Sequence, residues 1–292
     1  MKITELFERG EFVVSAEVGP PKGFHVEHLL EEAKTYLSGI TAVNVTDNQS
    51  SVMRLGSLPM CKALKDEGLT PIYQLTCRDR NRIALQSDLL GAAMFGIENL
   101  LLLTGDHTKM GDHPQAKPVF DLDSVSLIHT VKQLESGVDL GGNPLIGEPP
   151  SFAKGAVVSP CSDSVDAQLA KMERKVRAGA DYFQTQAVFE PEKFIKFMEK
   201  AKQFGKPVQV GIIIPKSAGM AKFMNNNVAG IHVPDEMIEE LKKDKEKTKA
   251  GITGVEIAAR IIKECKPYCQ GVHIMALGWE SKVPDLLKLA GI

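Results

Sequence analysis

Asn99-Leu100-Leu101-Leu102-Leu103-Thr104-Gly105 is the stretch that decides the fold. Four consecutive leucines leave no alternation, so this is not a strand with one wet face. A short, unbroken apolar run closed by glycine reads as a strand covered on both sides, the kind found in parallel sheets. A helical pattern over 80–95 precedes it, with Ile83, Ala84, Leu89, Leu90, Ala93 and Met94 recurring at helical spacing. The same couple of run and helix repeats in both directions. Strands are expected over 12–18, 42–46 and 71–77 on one side, and over 155–159, 182–189, 208–214 and 271–277 on the other. Helices are expected over 25–37, 165–178, 191–204, 235–242, 254–265 and 283–290. Pro191 in a first turn and Gly205 past an end punctuate one of them in the usual order.

Eight such units in 292 residues fit a single (β/α)8 barrel domain over 1–292, a fold that usually takes about 250 residues. A doubly wound open sheet is the competitor, and it would place G-x-G-x-x-G after the first strand. Gly19-Pro20-Pro21-Lys22-Gly23 stands there instead.

The 35 Lys+Arg against 37 Asp+Glu give a net charge of −2, without the basic field of a nucleic-acid binder. Every apolar run is far shorter than the roughly 20 residues that span a bilayer. Met1-Lys2-Ile3-Thr4-Glu5 lacks the apolar core of a secretion signal, so a soluble cytoplasmic protein is expected. Five cysteines, an odd number, do not form a disulfide scaffold. Cys161, Cys265 and Cys269 would make a thiolate metal site only if the fold gathered them; free buried thiols are the plainer reading. His107 and His113 fall in a long loop over 107–118, and a second long loop covers 137–154. The charged segment 242–249 reads as a solvated helix face.

A barrel carries its site at the C-terminal mouth. The expected strands end in Glu17, in Thr46-Asp47-Asn48-Gln49, in Gln74 and Thr76, in Thr104-Gly105-Asp106 and in Ser159. The later ones carry Gln184 with Gln186, Lys216, and Gly278-Trp279-Glu280. An ionised carboxylate is costly to bury inside an apolar strand, so Glu17 should hold a proton more readily than a free glutamate, as a general acid requires. The alternative is a strand-end glutamate paired with lysine or arginine. Asp106 follows a glycine that lets backbone approach a ligand, or it merely turns the loop. Gln184 and Gln186 share a face, expected to be the interior, where their amides can meet a heterocycle. The sixth strand holds no lysine, which disfavours a Schiff-base aldolase.

E-x-x-P-P from Glu17, L-T-C-x-D from Leu75, T-G-D from Thr104, R-K-x-x-A-G-A from Arg174 and T-Q-x-x-F from Thr185 occur in this order along almost the whole chain. Together they resemble the methylenetetrahydrofolate reductase family. The resemblance implies a flavin (FMN or FAD) and hydride transfer from reduced flavin to 5,10-methylenetetrahydrofolate. It implies that Glu17 is the acid and Asp106 a carboxylate near flavin and pterin. Thr46, Gln74, Leu103, Thr104, Gly105 and Ser159 fall at flavin positions, and Arg174 and Lys175 on the phosphate side. Gln186 would hold the pterin, and Phe223 would stack on the ligand. Thr104 stands where many relatives have arginine, and Gln74 where histidine is common. Gly155, Ser159, Gln168 and Lys171 replace residues that contact the adenosine end of FAD, which favours FMN. Gly219 replaces a glutamine, which weakens direct use of NAD(P)H. Some relatives, including those of acetogens, take electrons from a partner subunit, so the donor is NAD(P)H or such a partner, and an oligomer is expected. The alternatives are a pterin-binding barrel without redox chemistry, such as a folate methyltransferase, and a scaffold subunit of an electron-transfer complex.

Overall fold

The computed structural model describes residues 1–228, 230–244 and 252–292. Eight parallel strands close into a barrel in sequence order, the last pairing with the first. They are β1 (Val13–Val18), β2 (Ala42–Val45), β3 (Pro71–Thr76), β4 (Asn99–Leu103), β5 (Ala153–Val158), β6 (Tyr182–Ala187), β7 (Val208–Ile213) and β8 (Gly271–Met275). Every boundary lies within two residues of its expected place. The helices are α1 (Ile3–Glu8), α2 (Glu27–Leu37), α3 (Ser57–Asp66), α4 (Arg82–Met94), α5 (Ser124–Glu135), α6 (Val165–Ala178), α7 (Pro191–Ala201), α8 (Ala218–Asn227), α9 (Asp235–Asp244), α10 (Ile252–Cys265) and α11 (Val283–Ala290). Residues 245–249 of the charged segment lie outside the described residues.

Four helices, α1, α3, α5 and α8, had no counterpart in the sequence reading. α3 and α8 are short, and α3 carries Pro59 in its first turn while α8 ends in three asparagines. α5 did carry a signal. Asp123 accepts from the Ser126 N–H while the Ser126 hydroxyl meets the Asp123 backbone, a capping box. Leu127, Ile128, Val131 and Leu134 then form its buried stripe.

Period-two side-chain alternation divides the core in two. One cluster, with Leu100, Leu102, Phe183 and Val210, lies between the strands and the helices. A smaller one, with Val13, Ile72, Leu101, Ala153 and Tyr182, fills the lower barrel against Ile3 and Leu6 of α1. The interior layer above it is polar: Ser15, Asn44, Gln184, Gln209 and His273 are all buried. Gly155 belongs to the lower level, where a β-carbon would stand 2.4 Å from the Tyr182 ring. It is absent from the mouth cavities, so its identity says nothing about the adenosine end of a flavin.

Candidate active site

The mouth holds two adjoining cavities that share Glu17 and Gln49 in their walls. One, of about 350 Å³, lies over the ends of β2–β6 and reaches α6. The other, of about 390 Å³, lies between β1, α2 and the chain after β8. Glu17 at the end of β1 therefore stands on the boundary.

Its partners are neither lysine nor arginine. Glu17 Oε1 accepts from Gln74 Nε2 at 3.3 Å and lies 3.2 Å from His273 Nε2. Glu17 Oε2 is buried without a hydrogen-bond partner. Thr46 Oγ1, in the wall of the first cavity, is likewise buried and unpartnered. Buried polar atoms are rarely left so; of the four among the described residues, these two face the mouth, where a ligand would meet them.

The loops over the first cavity are pinned by charge. Asp47, buried at the end of β2, accepts from the Thr76 N–H at 3.0 Å and from Arg80 at 2.8 Å. Buried Arg78 donates to the backbone oxygens of Asn48 and Asp106 at 3.3 and 3.4 Å, and pairs with Asp79 at 2.7 Å. Burial works against the Asp79 carboxylate, but the Arg78 bond and charge outweigh it and hold its pKa below the ordinary value. Gly105 has φ +91°, which strains any side chain, and a β-carbon there would stand 3.1 Å from Thr76 Cβ and crowd it. None of Asp47, Arg78, Arg80 and His273 was singled out for a role by the motifs. Arg78 and Arg80 flank Asp79 of the L-T-C-x-D motif, and that proximity was the available signal.

Thr46, Gln74, Leu103, Thr104, Gly105, Asp106, Ser159, Lys175 and Gln186 all border the first cavity. Asp106 is exposed at its rim. Thr104 Oγ1 accepts from the Ser124 N–H at 3.1 Å and so also holds the start of α5. The two glutamines share the interior face but separate in role. Gln184 is spent in the buried layer, bonded to Asn44 and Gln209, while Gln186 is exposed at the mouth. A bulge between Gln184 and Ala187 separates them. Arg174 is exposed on α6 and borders neither cavity; Lys171, one turn earlier, takes its place beside Lys175. Lys175 Nζ donates to the Val157 carbonyl at 2.6 Å. Burial, then the neighbouring charges of Lys171 and Arg174, push its pKa down to about 8 against the pull of Asp123. Phe223 on α8 is 61% exposed and borders neither cavity.

All five cysteines are free and buried. Burial pushes the Cys161 and Cys269 thiols up to about 11. No group of three or more His, Cys, Asp or Glu that could hold a metal occurs among the described residues. Trp279 packs against the core under Lys216, whose Nζ lies 5.2 Å from the ring centre. No described helix is long and apolar enough to cross a membrane.

The profile of the family described as methylenetetrahydrofolate reductase matches residues 2–291. Methylenetetrahydrofolate reductase 2 of Schizosaccharomyces pombe is 27% identical over all of this chain, which spans 48% of that protein. The 5,10-methylenetetrahydrofolate reductase of Salmonella typhimurium is 27% identical over 87% of this chain and 82% of its own length. A Clostridium thermocellum protein that binds two copies of 5-methyl-5,6,7,8-tetrahydrofolic acid superposes with a TM-score of 0.68 at 14% identity, covering 99% of this chain and 98% of its own. That last likeness is one of fold.

Proposed function

This chain belongs to the methylenetetrahydrofolate reductase family, and from that premise we propose that it reduces 5,10-methylenetetrahydrofolate to 5-methyltetrahydrofolate with a bound flavin. The observation that carries the proposal is Glu17 Oε2. It is a buried carboxylate oxygen with no partner among the described residues, on the wall common to two cavities.

The first cavity has the kinds of group a flavin would use. The free Thr46 hydroxyl, the close backbone at Gly105 and the lysine pair of α6 are a hydroxyl, a flat approach and a phosphate end in one cleft. Bound flavin supplies the hydride, which no side chain can. The chain supplies the rest. Lys171 and Lys175 would hold the phosphate side, Gln186 would offer its amide to the pterin, and Asp106 would stand at the rim of the same cavity. Glu17 gives a proton to the folate amine and so helps the methylene bridge to open. Phe223, which the family resemblance sets against the folate, stands exposed on α8 and borders neither cavity, so it takes no part in the steps above. The electron donor is NAD(P)H or a partner electron-transfer subunit, and the two are separated by assaying the pure protein with NADH and NADPH.

Glu17→Gln keeps size and hydrogen bonding but removes the acid. It should leave flavin bound and slow folate reduction by about 10²-fold or more, the scale of a lost general acid. Unchanged turnover would remove Glu17 from the chemistry. A variant that loses flavin instead would make Glu17 a cofactor contact. A folate-binding barrel without redox chemistry would bind methyltetrahydrofolate and hold no flavin.

A further inference from the structure

Beneath Glu17 lies a chain of hydrogen bonds whose directions can be read without seeing a proton. It starts from two backbone carbonyls, which only accept. Gln209 Nε2 donates to Val13 O at 3.3 Å and Val272 O at 3.2 Å, so this amide cannot be turned over. Its Oε1 must then face Gln184, whose Nε2 donates to it at 3.0 Å. Gln184 Oε1 in turn accepts from Asn44 Nδ2 at 2.9 Å. Both amide nitrogens also face Ser15 Oγ, at 3.2 Å from Gln209 and 3.3 Å from Gln184. An amide nitrogen donates and never accepts. The remaining partner of Ser15 Oγ is His273 Nδ1 at 3.1 Å, so the hydroxyl proton points there. Nδ1 is then the bare nitrogen of the ring, and Nε2 carries the hydrogen. Nε2 faces Glu17 Oε1 at 3.2 Å and donates to it. Gln74 Nε2 is the second donor to the same oxygen.

We infer that Ser15 and His273 are positioning residues that hold Glu17 with Oε1 as the acceptor and Oε2 as the oxygen from which its proton leaves. This rests on the folate-reducing reading for what the proton is used for, not for where it sits. Two N–H groups on Oε1 leave that atom no acceptor for a proton of its own. Oε2 has no partner among the described residues. In the step, the O–H bond at Oε2 breaks and an N–H bond forms on the folate amine. The negative charge left on the carboxylate then meets two donors already in place at Oε1. Such donors cost no reorganisation at the moment of reaction. His273 is a neutral donor here, not a proton source. An imidazolium would aim a second N–H at a serine oxygen already facing two amide nitrogens.

The cluster is insulated from below by Val13 and Tyr182 of the lower barrel. The charged groups bordering Glu17 lie above. Glu32 of α2, Arg54 and Glu280 stand on one side, and Asp47, Arg78, Asp106, Lys171 and Lys175 on the other. No charged group stands among the side-chain partners of Ser15 and Gln209.

The direct test is ring ¹⁵N NMR of histidine-labelled holoprotein, with His273 assigned by its loss in His273→Gln. The expected result is the Nε2–H tautomer. An Nδ1–H tautomer or a doubly protonated ring would overturn the inference, and neither reading needs turnover. The kinetic arm uses His273→Leu, which removes the donor, and His273→Gln, whose amide nitrogen replaces Nε2. His273→Leu should lower kcat about 10-fold with KM within about two-fold, and His273→Gln should recover most of the loss. Equal defects in both variants, or none in His273→Leu, would refute the positioning role. If His273→Leu does not fold, Ser15→Ala serves. It should lower kcat in the parent and have no further effect in the His273→Gln background, because residues in one network are not additive. Additive losses would count against the chain. If the parent enzyme shows no folate reduction, the functional reading fails while the NMR result still stands or falls by itself.

Discussion

Lys175 carries its charge in a place that resists it. Its pKa, about 8, lies below the ordinary lysine value because burial and then Lys171 oppose the ammonium. The unfolded chain, with lysine near ~10.4, binds more protons between those two values, so this group makes stability rise with pH across that window. Below about pH 8 the penalty is complete and constant. A phosphate beside Nζ favours the charged form, so flavin binding should take up a proton above about pH 8 and weaken as pH rises. Calorimetric titration of FMN into the apoprotein in two buffers of different ionisation enthalpy measures both. Affinity and proton uptake that stay flat to about pH 9.5 would take Lys175 away from the phosphate. At this scale Glu17 was legible, because an acid in an apolar strand is conspicuous. His273 was not. A single histidine in Gly271-Val272-His273-Ile274-Met275 gains meaning only from the register that sets it beside Ser15, and register between the first and last strands is invisible in the sequence. The same holds for Arg174 and Lys175. Adjacency in sequence put them together, and the turn of α6 puts one on the cleft and the other in solvent.

On the proposed reading, the wall made by β5 and α6 would decide which flavin binds. Ser159 and Gln168 are bonded to one another at 3.4 Å, and Lys171 and Lys175 follow on the same helix. No aromatic ring borders that cavity among the described residues. A wall of this kind offers cations to a terminal phosphate and no face on which a second heterocycle stacks. The flavin released by denaturation should therefore have the mass of FMN; intact FAD would contradict this. The elements themselves were legible to differing degrees. Strands covered on both faces announce themselves by unbroken apolar runs, and all eight stood out. α6 and α11 lie at their expected boundaries because each has a strong apolar stripe and a glycine after its end. α5, between the two long loops, has no counterpart among the expected helices although its capping box and apolar stripe are present in the sequence. α8 carries only a weak apolar pattern, and it leaves Phe223 exposed and outside both cavities.

Across the whole molecule, the barrel divides its interior by height. The lower level is apolar and sealed by α1, the middle is a buried layer of amides with Ser15 and His273, and the top is the two-cavity mouth. A buried polar layer of this kind is stable only when its members are satisfied, and Gln184, Gln209 and Asn44 satisfy one another. Their direction of bonding ends at Glu17, so the scaffold and the proposed acid are one construction. On the proposed reading a flavin in this mouth exchanges electrons with folate. That exchange is tested most directly by the visible spectrum of the purified protein, oxidised and anaerobic, before and after addition of methyltetrahydrofolate. A yellow protein whose flavin absorbance bleaches on addition is expected. A protein that stays colourless after incubation with FMN and with FAD, or a bound flavin that methyltetrahydrofolate leaves unchanged, would contradict it.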